Sequence, residues 1–208
     1  MMRPFVLGAI LFGACSSGSS RSLWSEGAPL AVAERARDFE SYSLRRVGLL
    51  PFSGQAMSIP RAAELQAAFA TELARVAPYE IVMLDASDVL EVIRSDPHRR
   101  GAYQPGTIIE LARRFRLDGL LVGTVTQLRT YTPQILGLEL DLVASDTGRS
   151  IWYSSLNLDA GDERVKRSID VWCNNEREGS LAPESSELVL LSPSRFARFA
   201  AHEVSRVF

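Results

Sequence analysis

The heptapeptide at positions 46–52 is Arg46-Val47-Gly48-Leu49-Leu50-Pro51-Phe52, an almost uninterrupted apolar run that proline closes. Proline has no N–H to donate to a sheet ladder, so it marks the end of a strand. A continuous apolar run of this length is typical of a strand that is covered on both faces. We therefore predict a buried strand here, in a sheet with helices on both faces.

A helix and a second strand follow this run. Pro60 suits the first turn of a helix because its missing N–H would have no partner there, and apolar residues then recur at helical intervals until Pro78. Residues 80–84 form a second short apolar run, which predicts another buried strand. Asp85 comes next and has the side chain of a helix N-cap, so we predict a helix after it.

Another helix and strand come next. Thr107-Ile108-Ile109-Glu110 has the capping-box pattern that opens a helix, and Asp118-Gly119 turns the chain from that helix into the apolar run 120–125. Strands and helices thus alternate through the first half of the chain. This alternation favours a sheet with helices packed on it.

The second half has a different pattern. Leucines alternate there with glycine or acidic residues, which predicts a strand with one solvated face: Leu136, Leu138, Leu140 and Leu142. Asp146-Thr147-Gly148 supplies a turn into a second hairpin strand at 151–158. We predict further helices from Asp162 and from Ser192-Pro193, the latter near the C-terminus.

These elements predict a single α/β domain over residues 45–208, with a three-layer arrangement, a mixed sheet of about four to five strands, helices on its faces and a C-terminal helix. The composition, 46% hydrophobic and 23% charged in 208 residues, suffices for one core. The formal charge of −2 excludes a broad basic surface, so no nucleic-acid partner is expected. The basic cluster Pro97-His98-Arg99-Arg100 is interpreted as a solvated loop.

The N-terminus has the pattern of an export signal. Arg3 precedes an apolar stretch, residues 5–12, that is too short for a permanent membrane span. Gly13-Ala14-Cys15 then resembles the bacterial lipobox, in which a cysteine after small residues receives a lipid, although Phe12 stands where that motif usually has leucine. The resemblance implies a signal peptide at residues 1–14 and lipidation of Cys15. The alternative is a plain secretory signal with an incidental cysteine.

Residues 15–44 are predicted to be a lipidated N-terminus and a flexible tether. Segment 16–22 is almost entirely serine and glycine, too poor in apolar side chains to order, whereas apolar residues at helical intervals within 30–39 predict a short docking helix. With lipid on Cys15, Cys173 remains the single free thiol, so no intrachain disulfide is expected. By analogy with lipoproteins that an aspartate retains at the inner membrane, Ser16 implies sorting to the outer membrane.

The order of these pieces resembles a family of bacterial envelope lipoproteins. The pieces are Leu50-Pro51-Phe52, the helix with Leu65 and Phe69, Glu80-Ile81-Val82, the segment from Asp118 to Val125, and the Asp146-Thr147-Gly148 turn. They look like the periplasmic domain shared by CsgG, LpoB and PelC, over roughly residues 45–158 and the last helix. The resemblance implies a mixed sheet with helices on its faces and a role in envelope assembly or secretion. No long amphipathic insertion is evident in the sequence, which argues against a pore like the curli channel.

Few residues suggest catalysis. The chain has 2 histidines, His98 in the basic loop and His202 on the last helix, and no cysteine, histidine or carboxylate group shows metal-ligand spacing. Glu139 and Asp141 share one strand face, where we interpret them as solvated side chains and not as an acid/base pair. We therefore predict no catalytic residue, no metal and no cofactor.

Two functions of different class remain. The first, implied by the resemblance, is a non-enzymatic accessory factor on the periplasmic face of the outer membrane that contacts an envelope protein or forms a homo-oligomer. The second is a periplasmic enzyme or small-ligand-binding protein with a site built from loops. Trp172 and Tyr153 are candidate partner contacts, since aromatic side chains are favoured in interface hot spots. The alternative is a place in the core, which we prefer for Trp152.

Overall fold

The computed structural model describes residues 27–54, 57–87, 89, 105–177 and 185–208 of the chain. One sheet contains the strands of these residues: β1 (Val32–Arg35), β2 (Arg46–Leu49), β3 (Ser53–Gly54), β4 (Glu80–Met83), β5 (Gly119–Arg129), β6 (Ile135–Ala144) and β7 (Ser150–Asp159). The helices whose two ends lie in these residues are α1 (Ile59–Val76), α2 (Pro105–Phe115), α3 (Glu163–Arg177), α4 (Ser186–Leu191) and α5 (Pro193–Ser205). A 3-10 turn covers Phe39–Ser41.

The sheet is mixed, as predicted. Its strand order is β1-β7-β6-β5-β2-β4, and the short strand β3 pairs with β5 outside this path. Strand β2 runs parallel to β4 and β5, whereas β5, β6, β7 and β1 pair antiparallel in turn. The sheet has more strands than the four to five expected, because β1 and β3 are too short and too exposed to carry an apolar signal.

Helices cover both faces of the sheet. On one face, apolar residues of α1, α3, α4 and α5 form a large core cluster with β2, β5, β6 and β7. On the other face, apolar residues of α2 form a second core cluster with β5 and with the residues that follow β2 and β4. Its members include Ile108, Leu111, Ala112, Leu120, Val122, Leu50 and Leu84. The three-layer α/β prediction and its C-terminal helix are therefore confirmed.

Both ends of strand β2 are held by side-chain hydrogen bonds. At its start, the Asp118 carboxylate Oδ2 accepts from the backbone N–H groups of Arg45 and Arg46, each at 2.9 Å. At its end, the buried Gln66 amide of α1 donates to the carbonyl oxygens of Leu49 and Leu84, each at 2.8 Å. Because these groups join β2 to β5 and β4, they fix the register of the parallel strands.

The position of Phe52 after β2 explains why β5 has a glycine at residue 123. Leu50 packs in the core on one face of the sheet, whereas Phe52 packs on the opposite face. A Cβ atom at Gly123 of β5 would collide with the Phe52 ring, which also packs against Phe69 at a centroid distance of 4.9 Å. Gly123 is therefore needed for close packing inside a strand.

The helix predicted within residues 30–39 is wrong. Strand β1 occupies Val32–Arg35 instead and pairs with the outer edge of β7, for example Ala33 with Ser154. The edge of β7 supplies backbone partners that a thin apolar stripe could not outweigh. Residues from Leu30 to Leu44 contribute partly buried side chains to the core, so this part of the segment assigned to the tether packs on the domain.

The solvated face predicted for the alternating strand, now β6, is also wrong. Only Ile135 and Glu139 of β6 are half-buried, and its other residues are buried. Asp141 tolerates burial because the Ser150 hydroxyl donates to its Oδ1 at 2.8 Å, which replaces water as a partner. The helix predicted after Asp85 is described only at residues 86, 87 and 89, and the basic loop at 97–100 lies outside the described residues.

Substituting Leu121→Ala tests the burial of β5. Leu121 is fully buried between Leu49 and Leu142, so its truncation should lower the free energy of unfolding by about 2–5 kcal/mol. Leu191→Ala is the matched control, because this exposed leucine should cost less than about 0.5 kcal/mol. Urea melts of both variants give the comparison, and a loss below about 1 kcal/mol for Leu121→Ala would contradict this packing.

Candidate docking surface

Two of the residues selected from the sequence lie outside the described residues. Cys15 and His98 belong to segments 1–26 and 90–104. Lipidation of Cys15 therefore stays a prediction.

The two tryptophans considered as contacts are both in the core. Trp172 is 2% exposed, and its ring packs against Phe199 at a centroid distance of 5.6 Å. Trp152 is equally buried and donates from Nε1 to the carbonyl of Val207 at 3.3 Å, which confirms the core assignment we preferred. For Trp172 the structure favours the core alternative over a direct partner contact.

Tyr153 lies on the opposite face of β7 from Trp152. It is half-buried, with Asp141 of β6 and Glu34 of β1 as its cross-strand neighbours. An aromatic ring among carboxylate-bearing neighbours is compatible with a contact residue, but its role stays a prediction.

The polar residues do not assemble into a catalytic centre in the part of the chain that the structure describes. Asp141 is buried and bonded to Ser150, so interpreting it as a solvated side chain was wrong. His202 lies beside Trp172, with a distance of 5.9 Å between ring centroids. Among the described residues, no group of three or more histidine, cysteine or carboxylate side chains is placed to hold a metal ion.

An apolar groove lies where α1 and α5 begin, beside the turn between β5 and β6. Its walls come from these three elements and from Met57: Met57, Arg61, Glu64, Leu65, Leu128, Arg129, Thr130, Gln134, Ile135, Leu136, Pro193, Phe196 and Ala197. The groove encloses about 20 Å³, far less than the roughly 300–1,000 Å³ of a small-molecule pocket. It is therefore too small to hold a small-molecule ligand.

Large apolar side chains are exposed at chain positions beside the wall residues of this groove. Ile59, Tyr131 and Leu191 are 77%, 73% and 64% exposed. Each stands one or two residues along the chain from a wall residue: Arg61, Thr130 and Pro193. We call the groove together with Ile59, Tyr131 and Leu191 the docking surface. These three exposed apolar side chains, each within two positions of a wall residue, make this region the candidate contact surface.

Charged and polar groups form a rim on the docking surface. Arg61 and Glu64 make an ion pair at 3.5 Å across one turn of α1. Arg129 donates from Nε to the carbonyl of Pro133 at 2.6 Å, and its guanidinium carbon lies 5.8 Å from the centre of the Tyr131 ring. An apolar centre with a polar rim is the usual composition of a protein–protein interface.

Sequence reasoning missed the docking surface because its residues lie at the ends of elements. Ile59 is the first residue of α1, Leu191 is the last of α4, and Tyr131 lies in a turn. None of these positions belongs to a run of periodic apolar residues. A single apolar side chain in a turn carries a signal only once the fold shows that it is uncovered.

A buried ion pair fastens the segment 27–44, which we call the arm, to the end of α5. Glu203 is 1% exposed and accepts from the backbone N–H of Leu30 at 2.6 Å, from Ser168 at 3.2 Å and from Arg206 at 3.0 Å. Arg206 also donates from Nη2 to the carbonyl of Gly27. One carboxylate and one guanidinium thus join the arm, α3 and α5.

The C-terminal residue makes a second attachment of the arm. Arg35 donates to the carbonyl of Phe208 at 2.8 Å, and the Phe208 ring packs edge-on against Trp152 and Tyr79, with centroid distances of 4.8 and 5.9 Å. Burial raises the pKa of the Tyr79 phenol above its usual range, although nearby Arg35 opposes this shift. The phenol is therefore neutral at physiological pH.

Comparison with known proteins shows similarity in structure only. No protein-family model matches the chain, nor does any curated protein. The PelC dodecamer from Paraburkholderia phytofirmans is 12% identical, with a TM-score of 0.44, over 66% of this chain and 87% of that one. Lipoprotein GNA1162 from Neisseria meningitidis is 20% identical, with a TM-score of 0.44, over 66% and 99%. The LpoB C-terminal domain from Escherichia coli is 15% identical, with a TM-score of 0.38, over 58% and 92%.

LpoB and PelC are two of the three proteins whose periplasmic domain the sequence resembles. At these identities and scores the likeness concerns the arrangement of strands and helices, and it leaves function open. In the same described residues, no helix is both long and apolar enough to cross a membrane.

Substituting Glu203→Ala should release the arm. The change removes the acceptor for Leu30 and leaves the Arg206 guanidinium without its carboxylate, which should lower the free energy of unfolding by about 3 kcal/mol. Trypsin should then cleave after Arg35 or Arg37 faster than in the parent protein under native conditions. Glu110→Ala, on an exposed position of α2, is the control and should leave both measurements unchanged. Equal cleavage rates in all three proteins would show that Glu203 does not hold the arm.

Proposed function

We propose that this chain is a lipid-anchored accessory protein of the bacterial envelope, held through Cys15 at the periplasmic face of the outer membrane and acting by protein contact. The anchor is supported by the sequence Gly13-Ala14-Cys15 after a short apolar run. Contact is supported by the docking surface, where three large exposed apolar side chains stand within two positions of residues that line one small groove.

The exposure of Tyr131, Ile59 and Leu191 carries this proposal. Covering these exposed apolar side chains with a partner would be favourable, and Tyr131 and the neighbouring Arg129 are of residue types enriched in interface hot spots. The groove is too small for a small-molecule substrate. We therefore favour an envelope protein as the partner over a small ligand.

The choice between contact and catalysis also rests on the polar residues. In the described ranges, Asp141, one of the two acidic residues considered for catalysis, accepts a hydrogen bond from Ser150, and the buried carboxylate of Glu203 accepts one from the arm. Neither carboxylate lines the docking surface. The proposal therefore assigns no catalytic residue, cofactor or metal, and Tyr153 remains a second candidate contact.

Ile59→Asp and Tyr131→Asp test the docking surface. A photo-cross-linking amino acid at position 191, introduced in the native bacterium, should give one discrete adduct. Either aspartate substitution should lower the yield of this adduct at least roughly ten-fold, because an unpaired charge in an interface costs several kcal/mol. Val76→Asp is the matched control, since Val76 is an exposed apolar residue at the opposite end of the same helix α1.

The mass of the adduct identifies the partner class. An adduct with a second, different protein supports the proposal, whereas an adduct of two copies of this chain would assign the docking surface to a homo-oligomer. The contact proposal fails if no adduct forms, or if Val76→Asp lowers the yield as much as the other two substitutions.

Substituting Cys15→Ala tests the anchor. We expect radiolabelled palmitate to be incorporated into the parent protein and not into the variant, which should be found as soluble or unprocessed protein after fractionation. Cys173→Ala is the matched control and should keep the label, because Cys173 is buried in the core. Label that persists in Cys15→Ala, or that is missing from the parent protein, would contradict the lipoprotein assignment.

A further inference from the structure

A second groove lies where the arm begins. Gly27, Ala28 and Leu30 of the arm form one wall, and Arg164, Arg167, Ser168 and Val171 of α3 form the other. The four residues of α3 follow the spacing that places side chains on one face of a helix. The groove encloses about 200 Å³, which is enough for a phosphate-bearing headgroup and below the usual size of a metabolite pocket.

The walls of this groove carry positive charge and no carboxylate. Arg164 and Arg167 are both exposed, and in the residues that the structure describes neither side chain has an ion-pair partner. The nearest acidic residue on the same turn, Glu163, is paired with Lys166 at 2.8 Å. Two exposed guanidinium groups therefore line the groove without an ion-pair partner among the described residues.

Other polar groups of the groove are already engaged. The Ser168 hydroxyl donates to Glu203 at 3.2 Å, and the Gly27 carbonyl accepts from Arg206. These bonds set the position of both walls and leave the arginines to bind a ligand. A guanidinium presents a planar pair of N–H donors that matches the oxygens of a phosphate group.

The arm places this groove a short way along the chain from Cys15. Gly27 is 27 − 15 = 12 residues from Cys15, and the intervening segment is mostly serine and glycine at 16–22. A flexible chain of that length has a root-mean-square span of roughly 20 Å and a maximum span of roughly 40 Å. A lipid on Cys15 therefore keeps this groove close to the membrane surface.

We propose that this basic groove binds the phosphate of anionic phospholipid headgroups in the membrane that anchors the chain. The proposal rests on the lipidation of Cys15 put forward above. Electrostatic attraction to an anionic surface adds to the anchor and turns the arm-bearing side of the domain toward the lipid. Each arginine should raise affinity for an anionic surface about five-fold.

Vesicle co-sedimentation tests the groove without the lipid anchor. The mature chain, residues 15–208 with Cys15→Ser, is mixed with vesicles of phosphatidylethanolamine alone or with added phosphatidylglycerol. We expect stronger binding to the phosphatidylglycerol vesicles, and a fall of roughly 25-fold in the double variant Arg164→Gln/Arg167→Gln. The control Arg113→Gln/Arg149→Gln removes the same charge outside the groove and should bind within about two-fold of the parent.

Three results would overturn the inference. Equal binding to both kinds of vesicle would exclude recognition of the anionic headgroup, and equal losses in the two double variants would show a response to net charge alone. Full displacement from vesicles by inorganic phosphate at matched ionic strength would assign the groove to a free anion. Because this assay uses a chain without lipid, failure of palmitate labelling at Cys15 is recognised separately from failure of the groove.

Discussion

Strand β2 has only four residues, and its attachment at both ends is the constraint on which the rest of the sheet depends. The Asp118 carboxylate holds its start, and the Gln66 amide holds its end. Both neighbours of β2 are parallel to it, so each connection must cross a face of the sheet. The crossover from β2 to β4 places α1 on one face, and the return toward β5 places α2 on the other, so the three layers follow from the position of β2.

The antiparallel half of the sheet carries the features that we assign to function. Long strands β5 and β6 project the turn that contains Tyr131, whereas the outer edge of β7 binds the arm as β1. The docking surface and the basic groove are thus both built at the ends of elements. The exposed side chains of both surfaces, Ile59, Tyr131, Leu191, Arg164 and Arg167, lie outside the buried core, so the core packing does not depend on them.

The sequence predicted those parts of the fold in which side-chain burial alone sets the structure. The apolar run through Leu49 and Leu50 and the stripe of α1 were read correctly because their periodicity reports burial directly. Strand β1 was missed because it is held by backbone pairing and by Glu203, a residue 173 positions away from Leu30. Likewise, nothing in the sequence around Trp172 indicates that its ring packs against Phe199 in the core.

Glu203 explains why the arm belongs to the domain. A carboxylate buried this deeply is unfavourable without partners, and an apolar residue in its place would often stabilise a core equally well. The carboxylate instead joins the arm, α3 and α5. A tether from Cys15 to Leu44 would have 44 − 15 = 29 residues and a span of roughly 30 Å, against roughly 20 Å for one that ends at Gly27. With the proposed lipid on Cys15, the buried ion pair shortens the path from the lipid to the folded domain, and Arg164 and Arg167 line the groove at the start of the arm.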